Sequence, residues 1–287
     1  MTRSSLPSAA LPDADRVGVS TISFRHRPLA EALALIAGMG ATRIDLGAIP
    51  AVTDHVPVPF TGDPAALAAE VAAAGLAADA VNADPGDLND PALDEGRLEE
   101  TLEGLAALAA ACGGALIVPA GRADHRPVRD HAADMALIAE RLDRAAGICG
   151  RHGVRLLVEV LHHRRYIHTI AAAEELLDRV GPDSIGLLLD VSHVVAGGED
   201  PVAWVPRAAP RIERVHLRDA VPGDLNLSLG AGQVDLPGVV AALEEHVPGV
   251  RYVLELETHD IAEQDREADV ARSLALVRDL VTGADAG

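Results

Sequence analysis

Four segments in the second half of the sequence carry acids and imidazoles at the ends of apolar runs. "VRLLVEVLHH" closes on Glu159, with His162 and His163 beyond it, and "SIGLLLDVSH" closes on Asp190, with His193 after it. "IERVHLRD" supplies His216, Arg218 and Asp219, and "RYVLELETHD" supplies Glu255 and Glu257. A charge at the end of a buried run is costly unless it is paired or binds a metal. Taken singly, each has an ordinary explanation: a salt-bridged rim glutamate, an aspartate capping the next helix, a packed histidine. Their recurrence on four successive runs argues for a site. Two glutamates, an aspartate and a histidine converging from neighbouring strands suit one divalent cation. Oxygen-rich ligation with a single imidazole favours Mn²⁺, Mg²⁺ or Co²⁺, with Zn²⁺ also admissible, over a structural zinc set of Cys and His.

Glu255 and Glu257 share a strand face, because side chains alternate with period two. Glu159 and Asp190 stand five residues after their apparent strand starts, and His216 and Glu255 stand four after theirs. Glu257 stands two residues higher, so Glu255 is the preferred ligand and Glu257 its alternative.

The elements that position these residues follow from periodicity. Short apolar runs near "RVGVSTIS", "TRIDLG", "GLAADAVNA", "ALIVPA", "VRLLVEV", "SIGLLLD", "IERVHLR" and "RYVLELE" alternate with longer Ala/Glu/Arg-rich helical patterns, several closing on glycine. Strands alternating with helices imply parallel pairing and right-handed crossovers. Eight such units predict an α/β fold with a single (β/α)8 TIM barrel over residues 17–283, after a disordered leader over 1–16. An open doubly wound sheet is the alternative, but no glycine-rich phosphate fingerprint follows the first strand. In a barrel the C-terminal strand ends and their loops form the site, which is where the four polar clusters fall.

Composition narrows the function. A net charge of −20 leaves no basic footprint for nucleic acid and discourages anionic membranes. The N-terminus lacks an apolar core of signal-peptide length, and the longest uncharged run is broken by Gly113-Gly114, so no membrane span is expected. Cys112 and Cys149 have no paired spacing and read as buried thiols, which suits a cytoplasmic protein. Aromatic residues are scarce. Phe24 and Trp204 are the convenient candidates to stack on a sugar ring.

The segments "LLVEV", "LLLDVSH", "VHLRDA", "LGAGQVDLPGVVAALEE" and "VLELE" resemble the sugar isomerase/epimerase superfamily of xylose-isomerase-like TIM barrels. That superfamily includes ketose 3-epimerases, hydroxypyruvate isomerases, inosose dehydratases and endonuclease-IV-type nucleases. The resemblance is specific from about Val154 to Asp260 and only architectural before it. It implies a metal held by Glu159, Asp190, His216 and Glu255, with His193 within reach of substrate or metal. Arg218 and Asp219 match a Lys/Arg-Asp pair at the mouth of the site. Ala231 stands in "GAGQVD" where a Glu is commoner, and the second strand ends in Asp45 where a Glu is commoner.

Such enzymes move a proton on a carbon beside a carbonyl. Glu159 and Glu255, from non-adjacent strands, are the expected catalytic pair, one removing the proton and the other returning it. The expected function is therefore a metal-dependent isomerase or epimerase of a small sugar or polyol-derived carbonyl compound. A dehydratase uses the same pieces, with His162 or His193 protonating the departing hydroxyl. His162, His193, Arg218 and Phe24 are the expected substrate contacts, and Arg164 or Arg165 could hold an anionic group. A non-catalytic sugar-binding or accessory barrel is a third reading. The acidic charge and the missing early histidines speak against a nuclease. The sequence leaves oligomerisation through exposed helices open.

Overall fold

The structure, a computed structural model, describes residues 13–283. Ten strands occur among them: β1 (Val17–Ser20), β2 (Arg43–Ala48), β3 (Ala77–Ala83), β4 (Ala115–Pro119), β5 (Leu156–Glu159), β6 (Gly186–Asp190), β7 (Ile212–Leu217), β8 (Asp219–Val221), β9 (Asp224–Leu227) and β10 (Arg251–Leu254). Eight close a parallel barrel in the order β1-β10-β7-β6-β5-β4-β3-β2, with β8 and β9 pairing separately as an antiparallel hairpin. The eight expected strands are the eight barrel strands, and the family-type barrel is the fold.

Continuous apolar runs such as "GLLLD" are what a strand covered on both faces requires. Helices cover the outside, and Asp63, Asp94, Asp130, Thr169, Asp200 and Asp235 each cap a helix start by accepting a backbone N–H. Each such cap satisfies a donor that the helix leaves without a partner, worth about 1 kcal/mol.

Inside the barrel the filling is divided. Ala80, Ile117, Leu157 and Leu188 form an apolar plug on the β3–β6 side. On the side of β2, β7 and β10 the filling is ionic. Asp79 meets Arg43 at 3.1 Å and Arg251 at 2.9 Å, and Arg214 holds both oxygens of Asp45 at 2.9 and 2.6 Å. Arg214 is buried and tolerable there because it has a carboxylate partner, and removing one partner of such a pair costs about 3–5 kcal/mol, whereas Arg43 and Arg251 reach Asp79 from the partly exposed rim.

Three expectations are corrected here. The first strand stops at Ser20, and Thr21–Phe24 turn as a 3-10 helix in which Phe24 is 2 % exposed and part of the core. β2 runs on to Ala48, so Asp45 lies within the strand, facing the interior, and does not end it. Of the leader expected over 1–16, residues 1–12 lie outside the described residues. The last four form a 3-10 helix, Asp13–Arg16, whose Arg16 binds Glu244 at 2.9 Å. Cys112 and Cys149 are free thiols, the second fully buried, and burial pushes its pKa up to about 12.

Candidate metal centre

The C-terminal ends of the strands surround a cavity of about 200 Å³ whose wall includes Asn82, Glu159, His162, His193, Arg218, Glu255 and Glu257. Strand alternation puts them there. Asp190 and His216 are direct neighbours in the β6–β7 ladder, and Glu255 continues β10 by donating its N–H to the Leu217 carbonyl at 3.2 Å. Ligand atoms of Asp190, His216 and Glu255 all lie within 4.8 Å of one another, and all three residues are buried. Glu257 stays outside this triad, on the cavity wall. Glu159 is set apart from the other three expected ligands: its oxygens group instead with His162 and His193, again within 4.8 Å.

Each member of the first triad is held from behind. His216 Nε2 lies 3.0 Å from Asp45 Oδ2, and Asp45 is in turn clamped by Arg214. That contact assigns the Nε2 proton to the Asp45 bond and turns Nδ1 inward, 3.3 Å from Glu255 Oε2 and without a hydrogen bond. Asp190 accepts the Ser192 N–H at 2.8 Å and the Ser192 hydroxyl at 2.6 Å, which also caps the helix Val191–Ala196. Glu255 Oε1 accepts from Asn82 Nδ2 at 2.8 Å. Burial opposes the charge on His216, but the Glu255 and Asp45 carboxylates outweigh it and push its pKa up to about 10. Burial likewise opposes ionisation of Asp190 and Glu255, and the cations Arg218 and His216 hold both below the usual carboxylate range. Glu257 goes the other way: burial raises it, against the pull of Arg218.

Arg218 is the main correction to the expected layout. It does not stand at the mouth: it is 3 % exposed and reaches into the acids, with Nη2 2.6 Å from Asp190 Oδ2 and 3.3 Å from Glu255 Oε2, and Nε donating to Ser192 Oγ at 2.9 Å. Asp219 organises the next loop, accepting from Gly230 N at 2.8 Å and Val234 N at 2.9 Å. A Cβ on Gly232 would collide with that carboxylate and with the Ala220 backbone, so "GAGQVD" needs its second glycine.

His162 is half-buried with its ring centroid 3.8 Å from that of His193. Burial and the neighbouring His193, Arg165 and Arg218 push its pKa well below the ordinary histidine value. Arg165 is committed to Asp84 and to the Gly121 carbonyl at 2.9 Å, whereas Arg164 is exposed on the cavity wall. Phe24 and Trp204 both pack in the core, Trp204 with its Nε1–H on Glu174 at 3.1 Å, so imidazoles are the ring faces this cavity offers. Asn82, Ser192 and the orienting role of Asp45 were missed in the sequence. Asn82 had a signal, a polar residue near the end of the third apolar run.

The donor chemistry fits a divalent cation. Two ionised carboxylates converge with an inward imidazole nitrogen that becomes a ligand on giving up its proton, and His216 Nδ1 and Glu159 Oε1 are buried polar atoms with no hydrogen bond. Buried polar atoms are rarely left so in native folds. Asp45 behind His216 is the kind of second partner that orients a metal-binding imidazole.

The fold and this cluster define the class of protein. Residues 33–280 match the family model for the xylose isomerase-like TIM barrel, and the chain belongs to that family. Within it, an inosose dehydratase of Geobacillus kaustophilus (strain HTA426) is 35% identical over 82 residues, 29% of this chain and 26% of that one. The matched stretch thus spans about a quarter of that relative's length. A D-allulose 3-epimerase from Methylomonas sp. superposes with a TM-score of 0.76 at 17% identity, covering 94% of this chain and 99% of that one. The IolI protein with a bound zinc atom gives a TM-score of 0.74 at 18% identity, covering 93% and 98%. At such identities these structures establish a shared fold. Among the described residues no helix is long and apolar enough to cross a membrane.

Proposed function

We propose that the protein is a divalent-metal-dependent enzyme acting on a small sugar or polyol-derived carbonyl compound, and that its chemistry begins with removal of a proton beside the carbonyl. The observation that carries this is Glu159 Oε1, a buried carboxylate oxygen on the cavity wall with no hydrogen bond, next to the Asp190–His216–Glu255 triad. The chemistry that a divalent ion supplies when bound is polarisation of the carbonyl and stabilisation of the enolate charge. Asp190, His216 and Glu255 would hold the ion, with Glu159 apart from them on the cavity wall. Glu159 takes the proton from one face of the substrate carbon. Glu255, fixed across the cavity by Asn82 and ionised at rest, faces the other side and returns there a proton first taken up from solvent, while Glu159 releases its own to solvent. That makes the overall reaction an epimerisation; return of the proton to the neighbouring carbon makes it an isomerisation.

A dehydratase is the second reading, favoured by the imidazole pair beside Glu159 and by the inosose dehydratase match. Here Glu159 again removes the proton, and His193 protonates the departing hydroxyl. A cavity of about 200 Å³ suits one small sugar. The two free thiols, Cys149 buried and Cys112 partly exposed rather than buried as expected, support a cytoplasmic setting.

The test is incubation of the Mn²⁺-loaded protein in D₂O with ketoses, inososes and hydroxypyruvate. Deuterium at the carbon beside the carbonyl, with the molecular formula otherwise kept, supports the isomerase or epimerase. Loss of water with a new enone absorbance supports the dehydratase. Absence of both, in protein shown to bind metal, overturns the proposal.

A further inference from the structure

The acids of the candidate metal centre already have a cation. Arg218 Nη2 lies 2.6 Å from Asp190 Oδ2 and 3.3 Å from Glu255 Oε2, at the place where two of the three triad members converge. The residue is buried, and a guanidinium cannot lose its charge there. Yet the fit is incomplete in two ways. His216 Nδ1 stands 3.3 Å from Glu255 Oε2 without a hydrogen bond, while Arg218 Nη2 takes the other approach to that same oxygen. At His193 the proton count fails. The His163 backbone N–H approaches Nδ1 at 3.2 Å, while Arg218 Nη2 approaches Nε2 at 2.9 Å. A neutral imidazole has one acceptor nitrogen, so one of these approaches sets donor against donor. A guanidinium therefore neutralises the carboxylates but leaves His193 mismatched and two cations, itself and His216, crowded on one pair of acids, where a compact divalent ion would serve acids and imidazole together.

We infer that Arg218 is a resident counter-cation that keeps the metal-free site folded and that a divalent ion must displace. Its Nη1 already lies 3.9 Å from Glu257 Oε1, on the cavity wall, so the displaced guanidinium has a carboxylate toward which to turn. The displacement sets metal affinity: the ion replaces a strong charge-assisted bond instead of entering a vacant acid cluster. It also ties metal binding to the position of a cationic donor in the substrate cavity. This inference rests on the reading of Asp190, His216 and Glu255 as a cation site.

The experiment is a Mn²⁺ titration by calorimetry, with thermal unfolding of the metal-free and Mn²⁺-saturated protein, for wild type, Arg218→Gln, Arg218→Lys and Arg164→Gln. Arg164→Gln removes a positive charge from the cavity wall and controls for general electrostatics. The expected result is at least tenfold tighter Mn²⁺ binding for Arg218→Gln, and less than threefold change for Arg164→Gln. Metal-free Arg218→Gln should unfold at lower temperature than wild type, and saturating Mn²⁺ should close the gap. Arg218→Lys, which keeps a charge but not the fork, should fall between and serves if the glutamine variant does not fold. Equal or weaker binding by the Arg218 variants overturns this inference and leaves the metal reading standing. Binding by Arg218→Gln but not by wild type upholds the inference and overturns the metal-dependent function. Binding by neither overturns both.

Discussion

His216 Nε2 and Asp45 Oδ2 lie 3.0 Å apart, buried inside the barrel, and this one contact decides which imidazole nitrogen faces the cavity. Asp45 comes from β2 and His216 from β7, which are separated by β1 and β10 in the barrel order. The contact therefore spans the interior, and Arg214 locks it from below.

Asp45→Asn tests that arrangement. It removes the carboxylate that holds Arg214 at both ends of its fork and leaves Asp79, 3.6 Å away, as the remaining partner, so a stability loss of up to about 3–5 kcal/mol is expected in chemical denaturation. Loss of the orienting carboxylate should also weaken Mn²⁺ binding about 10–100-fold. A variant with wild-type stability and affinity would show that the Asp45 contact orients nothing.

Glu159→Gln should separate chemistry from folding. Glu159 Oε1 makes no hydrogen bond and has only the His193 imidazole near it, Nε2 at 3.3 Å, so the amide removes little native stabilisation. Solvent-deuterium exchange into substrate should fall about 10²–10⁴-fold, the usual weight of a positioned base. Exchange retained at the wild-type rate would move the base to another residue.

Metal should stabilise the fold. A ligand at 100 times its Kd adds about 2.7 kcal/mol when it binds only the native state. Excess Mn²⁺ should therefore raise the thermal midpoint of the wild type, EDTA should reverse the shift, and Asp190→Ala should show none. A shift that survives in Asp190→Ala would place the ion elsewhere.

Asp134 offers a pH test away from the site. Burial opposes its charge, but the N–H groups of Val128 at 2.6 Å and Arg129 at 3.2 Å and the Asn89 amide at 3.0 Å hold its pKa below the ordinary aspartate value. A depressed folded pKa gives stability that is present above the unfolded value, about 3.9, and is lost as pH falls through the folded value. Asp134→Asn should cost about 1–3 kcal/mol at neutral pH by leaving buried donors unserved. The gap from wild type should narrow as the pH is taken from about 5 toward 2. A gap independent of pH would mean that the loss is one of packing.

The barrel was legible in the sequence because its signal is local. Eight apolar runs of strand length, separated by helical patterns, admit few closed arrangements, and the glutamate, aspartate and histidine at their ends mark the functional face. Period-two alternation puts Glu255 and Glu257 on one face, and the count from the strand start separates them in height. The first strand is shorter than its pattern predicts, since "TIS" suits an extended run as well as the 3-10 helix it forms, and that turn takes Phe24 into the core.

What the sequence determined by itself, then, was the parallel barrel, the strand-end acids and imidazoles, and the charge that speaks against nucleic acid. Only the tertiary structure decided how those groups divide: Glu159 with His162 and His193, Asp190 with His216 and Glu255, and Arg218 between them instead of at the rim. The reason is distance along the chain. Asp45 reaches His216 across 171 positions, and Asn82 reaches Glu255 across 173. A local pattern reports which face a residue takes, whereas its partner across a closed barrel is set by strand order, stagger and the direction of a long side chain. For Arg218 the alternation only says inward, and the buried carboxylates decide that its charge ends in the centre of the site.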